Sequence, residues 1–413
     1  MRAIKHISPW QFTVFRIAFG LYLVIHFVHL LPWAGELFSA QGLLPDPRLN
    51  FTFGVLPNPL EHWQSPAFAQ AFVGVLAALA GLFTLGIGRR TCALLLWYGW
   101  ACLFNRNNLI SNPGLPYAGL LLILSALVPP GEPLSLAGRR NERWEMPAMV
   151  FWGAWGLLAA GYTYSGVWKL FSPSWPDGSA LHHLLTNPLA RPNGLRELLL
   201  SLPDGCLKVL TWGALAGELL ALPLSLTRRG RAIAWSWTLA MHLGILMVVD
   251  FTDLTFGMVM IHLFTFDPAW LPVRRQQPVL VLFDGACGLC DRTVQFLSAE
   301  DDAGVLRFAP LQGETAAPIL RRHGLEKEPP RSLVVVSVDR SGAERAFVKS
   351  GAVAEALDAL GGFWRVVALG LRVIARPCRD AGYDYFARRR HRWFSEPVSC
   401  RVPTRREAAR FLP

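Results

Sequence analysis

The feature that most constrains this chain is a series of apolar blocks that fills its first two thirds. From Pro9 to Leu271 these blocks alternate with short charged loops, whereas the chain from Val273 onward has the composition of a water-soluble domain. The whole sequence is 52% hydrophobic and 17% charged, which is too apolar for an ordinary soluble protein. A part that spans a bilayer, followed by a part that faces water, is the simplest architecture that places this apolar excess.

About eight of the blocks reach or approach the roughly 20 residues that a helix needs to cross the hydrocarbon core. Arg and Lys cluster in every second connection between the blocks, while the other connections carry few of them. By the positive-inside rule both termini then lie in the cytoplasm, and we expect a multi-pass protein of the cell membrane. The predicted spans are residues 9–31, 67–88, 91–105, 115–130, 147–170, 206–226, 231–249 and 252–270.

The C-terminal part has a different periodicity. Short β-branched runs at 279–283 and 333–338 alternate with helical spacing at 293–297 and 352–360. This alternation predicts a small α/β domain. The predicted organisation is a transmembrane domain over residues 1–272, a linker over 273–277, the α/β domain over 278–402 and a tail over 403–413.

The net charge of +11 raises the question of a nucleic-acid partner. The arginines of the C-terminal part are scattered and belong to no nucleic-acid-binding motif. A position against an anionic inner leaflet accounts for the basic balance. We therefore expect membrane lipid as a partner, and no nucleic acid.

Cys287 and Cys290 form a C-x-x-C pair directly after a predicted strand and at the start of a predicted helix. The unpaired N–H groups and the macrodipole at a helix N-terminus stabilise a thiolate. Cys287 is then the expected nucleophile, and Cys290 the cysteine that resolves a mixed disulfide. Asp284 either transfers a proton to or from the pair or caps the turn through its side chain. Because the cytosol keeps thiols reduced, a dithiol there is better explained as a catalytic or sensing pair than as a structural bond.

Two other interpretations of the pair are a zinc site and a pair of buried structural cysteines. A zinc site needs further ligands, but Cys378 and Cys400 are far apart in sequence and form no knuckle, so no metal is expected. The remaining cysteines are tempting electron relays, although buried inert thiols are much commoner. They are Cys92, Cys102 and Cys206.

The run from Asp284 to Cys290 has the pattern D-x-x-C-x-x-C and resembles the DCC family of thiol-disulfide oxidoreductases. Later blocks of the chain are similar to that family in the same order, so the resemblance covers residues 278–402. It implies a thioredoxin-like fold and a redox activity at the dithiol. It also suggests Pro330 for the proline that faces the dithiol in thioredoxins. The similar blocks are residues 308–312, 332–336, 350–353 and 383–392, with Cys400.

Four polar residues lie inside predicted spans, where such residues are costly and are candidates for function: Arg16, Lys169, Glu218 and His242. Arg16 is close enough to the inner surface for its side chain to snorkel. Glu218 and His242 are candidates to pair across two helices. Lys169 lies at the outer end of a helix among aromatic residues, either as a base in an aromatic pocket or as an interfacial lysine in an aromatic belt.

The block 164–170, followed by Trp175 and Gly178, resembles the segment of vitamin K-dependent gamma-carboxylases that holds their catalytic lysine. It also resembles the wider group of horizontally transferred transmembrane (HTTM) domains. Residues 105–108, together with the predicted helix that ends at 129–130, resemble the same group. These similarities cover most of residues 5–270. They imply that Lys169 is a base that acts on a reduced quinone, which makes a quinone the candidate cofactor.

The chain departs from the carboxylases in two respects. Leu109 stands where those enzymes have a histidine, and their β-rich lumenal domain has no counterpart in this sequence. Carboxylation of protein glutamate is therefore not expected.

Three functions remain open. The first is a membrane-tethered thiol-disulfide oxidoreductase that exchanges electrons with a thiol or disulfide protein or with a small thiol. The second is a membrane enzyme that acts on a quinone-like or lipid substrate through Lys169. The third is a non-catalytic transporter or scaffold.

Overall fold

The computed structural model describes most of the chain, in two compact units, Met1–Phe266 and Asp267–Pro413. The division falls a few residues before the predicted domain boundary at residue 272. Three residues named above, Cys287, Pro330 and Cys400, lie outside the described residues, as does the predicted linker. The described residues are 7–110, 112, 114–137, 141, 144–250, 252–271, 278–285, 288–325, 333–339, 341–393 and 409–413.

The first unit is helical, and a helix lies in each segment that the sequence predicts to be apolar. Several of these helices begin at clear sequence signals: Ser8 and Ser65 each cap the N-terminus of a helix with a proline in its first turn. The helices are α1 (Pro9–Leu30), α2 (Ala34–Phe38), α3 (Pro59–His62), α4 (Pro66–Leu85), α5 (Arg89–Arg106), α6 (Gly114–Leu127), α7 (Ala148–Lys169), α8 (Ala180–Thr186), α9 (Gly194–Leu200), α10 (Asp204–Leu219), α11 (Ala221–Ser225), α12 (Arg228–Val248) and α13 (Thr252–Thr265).

Three helical segments among the described residues are long and apolar enough to cross a membrane. They are Pro9–Phe38, Pro66–Leu85 and Arg228–Val248. A fourth is added if α9 and α10, which meet at 109°, are counted as one broken span. Helices α6 and α13 are apolar but shorter, so the predicted number of about eight spans stays a prediction.

A buried charge cluster joins α1, α5 and the loop after α6. Arg16 is fully buried and donates to Glu132 at 3.0 Å and to the carbonyl of Leu134 at 2.7 Å. Arg89 donates to the same Glu132 carboxylate at 2.8 Å and to the carbonyls at the end of α6. The expectation that Arg16 snorkels to the inner surface is therefore wrong. The two terminal nitrogens of its guanidinium are hydrogen-bonded inside the protein, so its charge is paired there rather than in water.

The second unit is built on a four-stranded mixed sheet with strand order β2-β1-β3-β4. Strands β1 and β2 are parallel, whereas β3 is antiparallel to both β1 and β4. Helices α14 and α16 follow β1 and β4. The elements are β1 (Val279–Phe283), α14 (Gly288–Glu300), β2 (Leu306–Pro310), α15 (Ala316–Arg322), β3 (Val334–Val338), β4 (Glu344–Val348), α16 (Lys349–Leu360), α17 (Gly362–Val373) and α18 (Arg376–Trp393).

The central strands are apolar because both faces of the sheet are covered. One face, with Val281 and Phe308, packs in a core with residues of α14, α16 and α17. The other face, with Leu282 and Val334, packs against α15. The apolar runs that predict β1 and β3 from the sequence are thus explained by burial on both sides.

Two short segments outside the regular elements also belong to the second unit. The turn Pro268–Trp270 leads to Leu271, whose carbonyl accepts a hydrogen bond from Gly362 at the start of α17, at 2.6 Å. The last residues, 409–413, which we call the C-terminal segment, lie along β2. The unit therefore extends beyond both ends of the α/β domain predicted from the sequence.

Candidate functional site

The connection between β1 and α14 carries the predicted dithiol. Strand β1 ends at Phe283 and α14 begins at Gly288, so a strand and a helix flank the C-x-x-C run as the sequence predicts. Cys290 lies in the first turn of α14 and is 7% exposed. Cys287 lies outside the described residues, but its position in the chain is the one immediately before the helix. This is the place at which a helix N-terminus stabilises a thiolate.

Asp284 follows β1 directly and is held from the neighbouring strand. The side chain of Gln312 donates from Nε2 to Asp284 Oδ1 at 3.1 Å. Gln312 is placed there because β2 runs parallel to β1 and the backbone N–H of Leu311 donates to Phe283 O at 2.8 Å. The carboxylate of Asp284 is therefore fixed beside the loop that contains Cys287.

Two further blocks of the DCC resemblance meet at the start of α16. The hydroxyl and backbone N–H of Ser350 donate to the Asp380 carboxylate, and Lys349 donates to Asp384 at 2.7 Å. The Ser350 hydroxyl holds the pKa of Asp380 below its usual value. These contacts join the N-terminus of α16 to α18, which is a structural role.

The first unit holds a second candidate site at the end of α7. Lys169 Nζ lies 2.5 Å from Glu218 Oε1 of α10, with the lysine side chain 24% exposed and the glutamate 4% exposed. The lysine ammonium also lies 4.3 Å from the centre of the Trp175 ring, a cation–π contact. The partner of Glu218 is therefore Lys169, and the predicted pair between Glu218 and His242 is wrong.

His242 lies deeper in the same unit and is 5% exposed. Its ring contacts the rings of Tyr162 at 5.8 Å and His262 at 6.0 Å. Neither ring nitrogen of His242 has a hydrogen-bond partner among the described residues, and the same holds for Oε2 of Glu218. Buried polar atoms of this kind call for a ligand, a water or a proton-transfer role.

His262 differs from His242 because both of its nitrogens are satisfied. Its Nδ1 lies 2.7 Å from the carbonyl of Met258, so Nδ1 must carry the proton and donate. Its Nε2 lies 2.9 Å from Thr238 Oγ1, whose one proton can go either to Nε2 or to the Ala234 carbonyl at 2.8 Å. His262 is thus a satisfied core histidine, and the unsatisfied nitrogens belong to His242.

The other cysteines fall into two groups. Cys92 and Cys102 are buried in the first unit, whereas Cys206 and Cys378 are exposed. In the part of the chain that the structure describes, no group of three or more His, Cys, Asp or Glu side chains is placed to hold a metal ion.

Comparison with known families covers both units. The HTTM domain family model matches residues 4–270, which is more than half of the chain. The chain belongs to the HTTM family. A second family model, described as DCC1-like thiol-disulfide oxidoreductase, matches residues 281–396. The HTTM chain therefore carries a DCC1-like domain at its C-terminal side, as the sequence motifs indicate.

Two relatives each match about a third of the chain. The protein YuxK of Bacillus subtilis (strain 168), described as uncharacterized, is 34% identical over 134 residues, which are 32% of this chain and 93% of that protein. The chloroplastic DCC family protein At1g52590 of Arabidopsis thaliana is 31% identical over 123 residues, which are 30% of this chain and 69% of that protein. No solved structure matches the chain.

The sequence did not single out two residues that the structure places in these sites. Glu132 lies in a loop just after the HTTM helix α6. The sequence feature that could have identified it is a lone acidic residue beside an apolar span. Gln312 was part of a block similar to the DCC family, but no chemical role was attached to it. Gln312 follows a strand that lies parallel to, and next to, the strand before Asp284. A polar residue at this position is the sequence feature that could have identified Gln312.

Proposed function

We propose that this HTTM protein is a membrane-bound thiol-disulfide oxidoreductase that works through Cys287 and Cys290. The observation that carries the proposal is that the C-x-x-C run follows β1 and extends into the first turn of α14 in a DCC1-like domain. The order of strands and helices in that domain supports a thioredoxin-like fold.

The chemistry is a thiol-disulfide exchange. In the reducing direction, the Cys287 thiolate attacks one sulfur of a partner disulfide, forms a mixed disulfide and releases the other partner sulfur as a thiolate. The Cys290 thiolate then attacks the Cys287 sulfur, and the partner leaves with its second thiolate. The partner gains two electrons and the protein dithiol becomes a disulfide. The thiolates that leave take up protons, and the reverse sequence oxidises a partner dithiol.

We also propose the finer topology of the membrane part. About eight helices would cross the bilayer, and both termini, with the DCC1-like domain, would lie in the cytoplasm. The helices at all eight predicted positions and the HTTM match support this arrangement. The electron partner would then be a cytoplasmic thiol or disulfide protein or a small thiol.

The test is a redox titration of the intact protein in detergent. Glutathione or dithiothreitol buffers set the potential, and alkylation followed by peptide mass analysis reports each cysteine. We expect one reversible two-electron transition that includes Cys287 and Cys290, and its loss in Cys287→Ser and in Cys290→Ser. The control is Cys378→Ser, which removes an exposed thiol and should leave the transition unchanged. No disulfide at any potential, or zinc that blocks alkylation, would refute the proposal.

A second candidate function is chemistry on a quinone-like or lipid substrate at Lys169 in the HTTM domain. The contact of Lys169 with Glu218 and Trp175 favours it, since the carboxylate can exchange a proton with the lysine and a free oxygen of Glu218 remains nearby. The probe is a short-chain naphthoquinol, with oxygen consumption as the readout. Lys169→Ala and Glu218→Gln should both abolish turnover, whereas Lys208→Ala, on the exposed side of α10, should not. No turnover by the unmodified protein, or turnover that survives both changes, excludes this function.

A further inference from the structure

The C-terminal segment extends the sheet of the second unit at its β2 edge. The N–H of Phe308 donates to the carbonyl of Arg410 at 2.8 Å, and the N–H of Leu412 donates to the carbonyl of Phe308 at 2.7 Å. Phe411 pairs with Phe308 in a parallel bridge, and their rings stack with centres 5.3 Å apart. The rings of Phe411 and Phe283, the last residue of β1, also lie edge to face with their centres 6.4 Å apart.

Arg410 fixes one end of this segment. Its guanidinium lies 3.6 Å from the Asp301 carboxylate, which is buried and accepts the N–H groups of Val305 and Leu306 at the start of β2. The segment is therefore anchored at the point where β2 begins.

Pro413 fixes the other end at the loop that follows β2. Its carbonyl oxygen accepts the N–H of Thr315 at 3.0 Å. A Cβ atom on Gly313 would lie 2.9 Å from the carbonyl carbon of Pro413, so only glycine allows this approach. The loop Pro310–Thr315 is thus held between β1 on one side and the C-terminal segment on the other.

The same loop carries Gln312, which donates to Asp284. Contacts therefore lead from the C-terminal segment, which Phe411 holds on the sheet, through Pro413 and the loop after β2 to the carboxylate three residues before Cys287. A carboxylate affects a neighbouring thiol in two ways. Its charge disfavours the thiolate, and as a base or acid it needs hydrogen-bond reach of the sulfur to move a proton.

We propose that Gln312 and the C-terminal segment are positioning elements that set the reactivity of the dithiol by fixing the carboxylate of Asp284. The inference rests on the proposed thiol-disulfide function. It assigns Gln312 and Phe411 positioning roles that act through Asp284.

The experiment measures the rate of iodoacetamide alkylation of Cys287 against pH in the reduced, full-length protein. Gln312→Ala and Phe411→Ala should each shift the pH midpoint of this profile, both in the same direction. The shift should change the alkylation rate at neutral pH by about threefold. Both shifts should vanish when Asp284→Asn is already present, because all three changes act through one carboxylate. Phe411→Tyr, which keeps the aromatic ring, should have the same profile as the unmodified protein.

The matched control is Trp364→Phe. Trp364 packs on Phe296 in the same core and donates to Glu300, so its replacement lowers stability without touching the loop after β2. Its profile should match that of the unmodified protein. An unshifted profile in Gln312→Ala and Phe411→Ala would overturn the inference, and so would a shift that persists with Asp284→Asn. An unmodified protein with no reversible disulfide would instead refute the proposed function, so the two failures are distinguishable.

Discussion

Glu132 is the residue that joins the two arginines of the buried charge cluster in the HTTM domain. It is 2% exposed and accepts from two arginines on different helices, Arg16 and Arg89. Both guanidinium groups also donate to backbone carbonyls, so each positive charge has a carbonyl acceptor in addition to the carboxylate. An acidic residue here neutralises charges that the apolar surroundings would otherwise expel.

Glu132→Gln should destabilise the HTTM domain by about 3–5 kcal/mol, since it leaves two buried guanidinium groups without a counter-charge. The readout is the melting temperature of the protein in detergent. Glu36→Gln is the control, because Glu36 is exposed and the same loss of charge there should have little effect. Equal melting temperatures for the two variants would contradict a stabilising role for the cluster.

At the level of the helix, α7 packs closely on α10 and places Lys169 against Glu218. A Cβ atom on Gly166 would lie 2.9 Å from the backbone nitrogen of Leu219 and 3.1 Å from Glu218 Cβ. Gly156, on the same helix, has open space around its Cβ position. The two glycines therefore separate the effect of helix packing from that of helix propensity.

Gly166→Ala should lower the melting temperature and weaken any activity that needs Lys169, because α7 must move away from α10. Gly156→Ala should leave the melting temperature unchanged or raise stability by up to about 1 kcal/mol. Thermal unfolding of both variants in detergent is the measurement. A Gly166→Ala protein that melts like the Gly156→Ala protein would show that the close approach is not needed.

The contact between α16 and α18 should respond to acid. Ser350 lowers the pKa of Asp380 in the folded state, so this carboxylate stabilises the fold above its unfolded pKa and the stabilisation is lost as pH falls through the folded value. Asp380→Asn should raise hydrogen exchange in α16 at pH 7, and the difference should shrink as the pH falls below the ordinary pKa of an aspartate, about 4. Asp302→Asn, on an exposed carboxylate, should show no difference at either pH.

The elements were largely predictable, whereas their partners were not. Apolar length gave the positions of the HTTM helices, and β-branched runs gave β1 and β3, because burial leaves a local signature in the sequence. The pairing of Lys169 with Glu218 rather than His242 with Glu218 depends on which helix faces which, and one sequence does not carry that. Arg16 was misjudged for the same reason, since Glu132 is 116 residues away.

At the scale of the whole molecule, the chain consists of two compact units. The first has the apolar composition of a membrane domain, and the second has the composition of a water-soluble domain. The second unit begins at Asp267, because Pro268 packs near Gly362 and the Leu271 carbonyl accepts from the Gly362 N–H. The residues next to the last HTTM helix are thus structural parts of the DCC1-like unit.

A polypeptide of residues 267–413 should therefore melt about 3 °C or more above one of residues 278–413, since the shorter one loses these contacts. Circular dichroism of the two soluble polypeptides measures the difference. A third polypeptide with Pro268→Gly in the longer fragment should fall between them. If the two lengths melt together, residues 267–271 contribute nothing to the unit.

The buried charge cluster also bears on how the protein enters the membrane. Arg16 lies in the first half of α1, and an arginine within a spanning helix opposes insertion by up to about 2.5–3.5 kcal/mol. Its carboxylate partner is synthesised 116 residues later. Until then the Arg16 guanidinium lacks the carboxylate of Glu132, and we expect the stable integration of α1 to depend on α5 and on the loop after α6. Biogenesis of this protein is therefore expected to be cooperative across the first half of the HTTM domain rather than helix by helix.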